Sequence, residues 1–150
     1  MTRAASESFK ELAPDKDILM FSRASYIGMH RYGGIWTSDN HSWWSHILLC
    51  LKMLPSLNMC GFMYVGSDIG GFSDNTTEEL LMRWMGLGVF VPLMRNHAAA
   101  GTRYQELYRF TDTDAFKNIV SIRYALIPYL WDAYKKAVED DTLMYKPLGF

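Results

Sequence analysis

The sequence has little of several features that mark specialised classes of protein. Its 150 residues include only 2 cysteines, Cys50 and Cys60, too few for a disulfide framework, so we predict a reducing, cytoplasmic location. A net charge of −1 provides no electrostatic footprint for nucleic acid or for a membrane surface. No apolar run is long enough to span a bilayer, and Met1 does not begin a signal peptide. We therefore predict neither a nucleic-acid nor a membrane partner, and nothing here indicates an oligomeric state.

Apolar and aromatic residues are plentiful. Apolar residues make up 49% of the chain and charged residues 21%, which is typical of a globular domain. Aromatic residues reach 15%, with 5 tryptophans and 9 tyrosines. Such rings serve either as core or as platforms for flat apolar ligand faces.

Short apolar runs alternate with helical patterns along the chain. The predicted strands are residues 18–21, 35–36, 62–65 and 91–94, and the predicted helices are residues 2–12, 42–54, 76–87 and 113–138. Ser42 and Thr113 are predicted helix caps, and residues 76–79 a capping box. Strands that alternate with helices indicate a parallel sheet covered on both faces.

Ionisable side chains follow each predicted strand. Arg23 follows the first and Asp39 the second. Asp68 follows the third, and Arg95 and His97 follow the fourth. The carboxyl ends of parallel strands meet at one edge, and in an α/β barrel the loops of that edge build the active site.

Asp39 is the most unusual of these residues because it lies in a strand-to-helix turn flanked by Trp36, Trp43 and Trp44. Large aromatics beside a turn carboxylate suggest a lined pocket. Ordinary turns use Asp as well, because its side chain bonds nearby backbone N–H groups.

Four strands fit either an open doubly wound sheet or part of a (β/α)8 TIM barrel. The glycines of residues 66–71 lack the spacing of the nucleotide fingerprint of the open fold. A complete barrel needs about 250 residues. We therefore predict an α/β fold in which residues 1–150 form the C-terminal half of a barrel, as a piece of a longer protein.

Five motifs carry a resemblance to a known family. They are Phe21-Ser-Arg-Ala-Ser25, Gly34-Ile-Trp-Thr-Ser-Asp-Asn40, Gly66-Ser-Asp-Ile-Gly-Gly-Phe72, Met94-Arg-Asn-His97 and Arg123-Tyr-Ala-Leu-Ile-Pro-Tyr129. In this order and approximate spacing, the chain resembles glycoside hydrolase family 31, the α-glucosidase family, over essentially its whole length.

The resemblance implies a role for each polar position. It makes Asp39 the general acid/base of a retaining glycosidase that acts on terminal α-linked glucose of oligosaccharides. Substrate-binding roles are implied for Arg23, Trp36, Asp68, Phe72, Arg95 and His97. Outside the resemblance, Arg23 could equally form a structural ion pair, and Asp68 could be an ordinary turn residue.

The chain departs from the family pattern in two ways. The family usually has Gly where Ser38 stands. If that position needs a positive φ, Ser38 is strained by about 1 kcal/mol or more. The family's nucleophile is an Asp in a motif like Trp-x-Asp-Met-Asn-Glu, which this chain lacks.

A retaining mechanism needs two carboxyl groups about 5–5.5 Å apart, and by the resemblance this chain provides only the acid/base. The alternatives are therefore an inert or merely carbohydrate-binding fragment, or α-xylosidase specificity in the parent protein. No cofactor is predicted. His30, His41 and His46 match no standard zinc spacing, so no metal site is predicted either.

Overall fold

The computed structural model describes residues 1–149 and contains a four-stranded parallel sheet. The strands are β1 (Phe21–Ser22), β2 (Gly34–Trp36), β3 (Val65–Ile69) and β4 (Leu93–Asn96). Each strand pairs in parallel with the next one in the chain. A doubly wound sheet reverses its strand order, whereas a barrel keeps the order of the chain. The strand order therefore confirms the predicted partial barrel.

Helices separate the later strands. They are α1 (Thr2–Leu12), α2 (Trp44–Met59), α3 (Glu78–Gly88) and α4 (Thr113–Glu139), with short 3₁₀ turns at Met29–Arg31 and Leu107–Arg109. Helices α2 and α3 both pack on β3, which is buried along its whole length. In residues 1–149 no helix is both long enough and apolar enough to cross a membrane.

The core consists of two apolar clusters. The first comprises Met29, Ile35, Cys50, Leu54, Phe62, Val65 and Val91. The second comprises Ile69, Leu80, Leu81, Trp84, Met85 and Phe116. The first joins β2 and α2, the second joins α3 and α4, and β3 contributes to both. Because β3 contributes to both clusters, its carboxyl end is held firmly in place.

Two strand boundaries were predicted wrongly. Strands β3 and β4 begin two or three residues later than the apolar runs at 62–65 and 91–94, so Asp68 and Arg95 lie within strands and not in loops. Residues 66–69, which follow the predicted strand 62–65, are part of β3. At Gly66, β3 passes so close to β4 that a Cβ would collide with the Leu93 carbonyl oxygen, so the position requires glycine. Glycine here marks close strand packing.

The first apolar run was also misread as a strand buried on both faces. Strand β1 begins only at Phe21, and Ile18 and Leu19 are exposed. Strand β1 lies at the edge of the sheet, and β2 is its one strand partner among residues 1–149.

The predicted helix caps were each displaced. Ser42 does not cap α2, because its hydroxyl donates to the Ser73 carbonyl oxygen, and α2 continues through Pro55. Thr77 caps α3 by accepting from the Leu80 N–H.

Helix α4, by contrast, is capped by the residue before the predicted one. The Asp112 carboxylate accepts from the Ala115 N–H, and Thr113 is the first helical residue.

Candidate active site

The carboxyl ends of β3 and β4 carry a buried ion pair. Asp68 and Arg95 are register partners, and the Arg95 guanidinium donates to Asp68 Oδ1 at 2.5 Å. The Asp68 side chain is 1% exposed. Burial raises the pKa of the Asp68 carboxyl, while the hydrogen bond and charge of Arg95 oppose that rise.

Each partner of this pair keeps an unused polar atom. Among residues 1–149, Asp68 Oδ2 accepts no hydrogen bond and Arg95 Nε donates none, although both atoms are buried. Buried polar atoms are normally paired, so such exceptions suggest a functional role. Together they offer one acceptor and one donor to a polar ligand.

Aromatic rings from the first two strands hold Arg95 in place. Its guanidinium lies 5.6 Å from the centre of the Phe21 ring and 5.4 Å from that of the Trp36 ring. The two rings meet edge to face at 5.8 Å. Cation–π contacts of this kind favour Arg over Lys. Arg95 therefore links β4 to β1, β2 and β3.

Asp39 lies in the more open part of the same edge. Its Oδ2 accepts from Arg23 at 3.2 Å, and both side chains are about half exposed. Ser38, the residue before it, has φ +75, in the left-handed region that glycine prefers. The strain predicted for Ser38 is therefore present in the backbone.

Asn40 joins the loop of Asp39 to the end of β3. Its side-chain amide donates to the Asp68 carbonyl oxygen at 3.0 Å, and its Oδ1 accepts from the Phe72 N–H at 3.1 Å. The Asn40 carbonyl oxygen accepts from the N–H groups of Phe72 and Ser73. These bonds fix the position of Asp39 relative to Asp68, and the sequence analysis assigned Asn40 no role.

The loop after β4 is fixed by a buried glutamine. Gln105 Nε2 lies within hydrogen-bond distance of Asn96 Oδ1, at 2.7 Å, and of the Ile69 and His97 carbonyl oxygens. The His97 ring stacks on Phe72, with centroids 5.2 Å apart. Gln105 carries no local sequence signal either, because these contacts span up to 36 residues.

All seven predicted site residues thus lie at one edge of the sheet, in three contacting groups. Arg23 pairs with Asp39; Arg95 contacts Asp68 and Trp36; Phe72 stacks on His97. Their catalytic and binding roles remain predictions.

Of the three histidines considered for metal binding, His30 is separate from the other two and packs edge-on against Phe62. His41 and His46 contact each other. Within residues 1–149, no group of three His, Cys, Asp or Glu side chains is placed to hold a metal ion.

Comparisons with known proteins agree on one family. Residues 1–133 match the family model for the glycosyl hydrolases family 31 TIM-barrel domain. The chain is 37% identical to Alpha-glucosidase 2 of Bacillus thermoamyloliquefaciens over 152 residues, covering 100% of this chain and 19% of that protein. It is 42% identical to the lysosomal alpha-glucosidase of Rattus norvegicus over 127 residues, covering 83% of this chain and 13% of that protein.

A solved structure has the same fold. The structure of a glucosidase II alpha subunit bound to alpha3-Glc2 superimposes with a TM-score of 0.89 at 30% identity, covering 98% of this chain and 16% of that one. The chain therefore spans less than a fifth of the length of each of these relatives.

Proposed function

The chain belongs to glycoside hydrolase family 31, and we propose that it forms the second half of the catalytic barrel of a retaining α-glucosidase. The substrate would be the terminal α-linked glucose of an oligosaccharide. The observation that carries the proposal is the convergence of Asp39 with the Asp68–Arg95 pair at the carboxyl edge of a parallel sheet.

In this proposal Asp39 is the general acid/base. A nucleophilic carboxylate from another part of the barrel attacks the anomeric carbon, the glycosidic C–O bond breaks, and Asp39 gives its proton to the leaving oxygen. Asp39 then removes a proton from water, which displaces the carboxylate from the sugar. The partial exposure of Asp39 supports this role, because leaving group and water must both reach it.

Asp68 and Arg95 bind the terminal sugar. The unused Asp68 Oδ2 accepts a sugar hydroxyl, and the unused Arg95 Nε supplies a donor. A buried carboxylate held by a guanidinium favours a ligand that completes its hydrogen bonds. Phe72 and His97 add a stacked ring pair beside them, which suits the apolar face of a sugar.

The test uses a hybrid enzyme in which residues 1–150 replace the matching segment of the Bacillus relative. Asp39→Asn in this hybrid should slow maltose hydrolysis by about 10²–10⁴-fold, because general acid catalysis is lost. A nitrophenyl α-glucoside should lose less in its first step, since its leaving group needs little protonation. The values of kcat/KM on both substrates measure this difference, because they report the first step and not the hydrolysis of the intermediate.

The control is Asp15→Asn, which removes an exposed carboxylate between α1 and β1 and should leave both rates unchanged. Maltose hydrolysis at the parent rate in Asp39→Asn would contradict the acid/base assignment. The 150-residue chain alone should bind sugar without turning it over, because the proposal assigns the nucleophile to another part of the barrel.

A further inference from the structure

A second cluster of polar and aromatic side chains lies beyond Asp39. We call it the mouth patch: His41, Trp43, His46 and Asp74. The His41 ring stacks on Trp43 with centroids 4.5 Å apart, and His46 meets both rings edgewise at 5.5 and 5.1 Å. Trp43 is 51% exposed, so its ring is available to a ligand. The mechanism proposed above uses none of these side chains.

The hydrogen bonds of the patch determine which ring nitrogens face a ligand. His41 Nδ1 contacts the Asp74 carboxylate at 2.8 Å, so this nitrogen carries the proton. The His41 backbone N–H donates to His46 Nδ1 at 2.8 Å, so that nitrogen carries none. A neutral imidazole has one donor and one acceptor. His41 Nε2 is then left as an acceptor and His46 Nε2 as a donor.

This combination suits a carbohydrate. One sugar hydroxyl can donate to His41 Nε2, and a neighbouring hydroxyl can accept from His46 Nε2. The exposed face of Trp43 provides an apolar surface beside them.

Asp74 also has an uncommon backbone conformation. Asp74 has φ +70, a conformation that costs free energy for a residue with a Cβ. Its carboxylate makes the hydrogen bond that fixes His41.

The patch lies at the open end of the site, as Asp39 does. A parallel bridge between His41 and Ser73 continues the alignment of β2 and β3 beyond the ends of the strands. The side chain of Asp68 is 1% exposed, whereas those of Asp39 and His41 are 47% and 40% exposed. The terminal sugar would occupy the buried end and the leaving group the open end.

We propose that the mouth patch binds the leaving-group sugar, and that Asp74 sets its specificity by fixing the tautomer of His41. This inference rests on the proposed function, because only in a glycosidase with Asp39 as its acid/base does the bond between the terminal sugar and the leaving group lie at Asp39.

The experiment is an NMR titration of the hybrid enzyme carrying Asp39→Asn, which does not consume maltose, with ¹⁵N-labelled histidine and recorded where the imidazoles are neutral. Glucose should shift the His97 signals alone, and maltose should also shift those of His41 and His46. Asp74→Gly should weaken maltose binding about three- to ten-fold through the loss of an oriented hydrogen bond, and leave glucose binding unchanged.

Asp141→Gly is the matched control. Asp141 also has a positive φ, of 51, and follows α4, so the control relieves the same kind of strain without touching the patch. Glycine suits both positions, so both variants should keep the fold, and Asp141→Gly should bind both sugars like the parent chain.

The outcomes separate the two proposals. Unchanged maltose affinity in Asp74→Gly, or shifts of His41 and His46 by glucose as large as those by maltose, would overturn the role of the patch. If neither sugar shifts His97, the proposed function itself fails, and with it the premise of this inference.

Discussion

The sheet edge carries two carboxylate–arginine pairs of the same chemistry in different surroundings. Asp68 and Arg95 lie on the long, buried strands β3 and β4, and the Asp68 side chain is 1% exposed. Asp39 and Arg23 lie beyond the short strands β1 and β2, with side chains 47% and 55% exposed. Buried and exposed ion pairs differ widely in energy.

The difference in exposure suits the two pairs to different roles in the proposed site. The buried pair is fixed by strand register and by two aromatic rings, and Asp68 is almost inaccessible to solvent, which suits recognition of one sugar in one orientation. The exposed pair leaves Asp39 open to solvent, as a group that must exchange protons with water requires. In the proposed enzyme, sugar binding therefore takes place at the buried ends of β3 and β4, and proton transfer takes place at the exposed ends of β1 and β2.

The largest loss of stability is expected when the arginine of the buried pair is replaced by an uncharged residue. Arg95→Met leaves the Asp68 carboxylate buried without its partner and should cost about 3–5 kcal/mol in the free energy of unfolding. Urea unfolding followed by tryptophan fluorescence measures this loss. Arg83→Met is the control: this arginine lies on the surface of α3, 4.0 Å from Glu79, and its loss should cost less than about 1 kcal/mol.

The cost of Arg95→Met should also depend on pH. Arg95 opposes the rise in the pKa of Asp68, so its removal raises that pKa further. A carboxyl group with a raised pKa in the folded state keeps a proton that the unfolded chain has released. Stability should therefore fall as pH rises from the ordinary carboxyl pKa, about 3.9, to the raised folded value. An equal loss at pH 4 and pH 8 would contradict this.

The position of the site was easier to predict from the sequence than the limits of the strands. Strand order and the edge position of Asp39 and His97 followed from periodicity, because residues after parallel strands must share one edge. The limits of β3 did not, because Gly66 weakens its local signal, and those of β4 did not, because its last two residues, Arg95 and Asn96, are polar.

The residues that connect the loops could not be predicted from local patterns. The Asn40 side chain reaches a carbonyl 28 residues away, and that of Gln105 one 36 residues away. The contact between His41 and Asp74 spans 33 residues. Partners so far apart leave no periodic trace in a single sequence, although the motif containing Asn40 is itself recognisable.

A smaller change in stability is expected from a substitution beside the exposed pair. Ser38→Gly removes the strain of φ +75 next to Asp39 and should stabilise the chain by about 1 kcal/mol, after the entropy that glycine adds to the unfolded state. Ser38→Ala separates the effect of the backbone strain from that of the serine hydroxyl. Alanine lacks the hydroxyl but keeps the unfavourable φ, so this variant should not be stabilised. In the hybrid enzyme Ser38→Gly should leave turnover unchanged or raise it. A destabilised Ser38→Gly would show that the serine hydroxyl matters more than the strain.

The smallest effect on stability belongs to the exposed pair itself. Arg23→Gln removes the charge opposite Asp39 and should change the free energy of unfolding by about 0–1 kcal/mol, since both side chains are solvated and the attraction is screened. Added salt should reduce even this difference between the parent chain and Arg23→Gln, because the Debye length falls to about 3 Å at 1 M ionic strength. Urea midpoints of both proteins at low and high salt measure it. A loss as large as that of Arg95→Met would mean that the two pairs contribute equally to the free energy of unfolding. Asp39 would then be better explained as part of a structural ion pair than as an acid free to donate its proton.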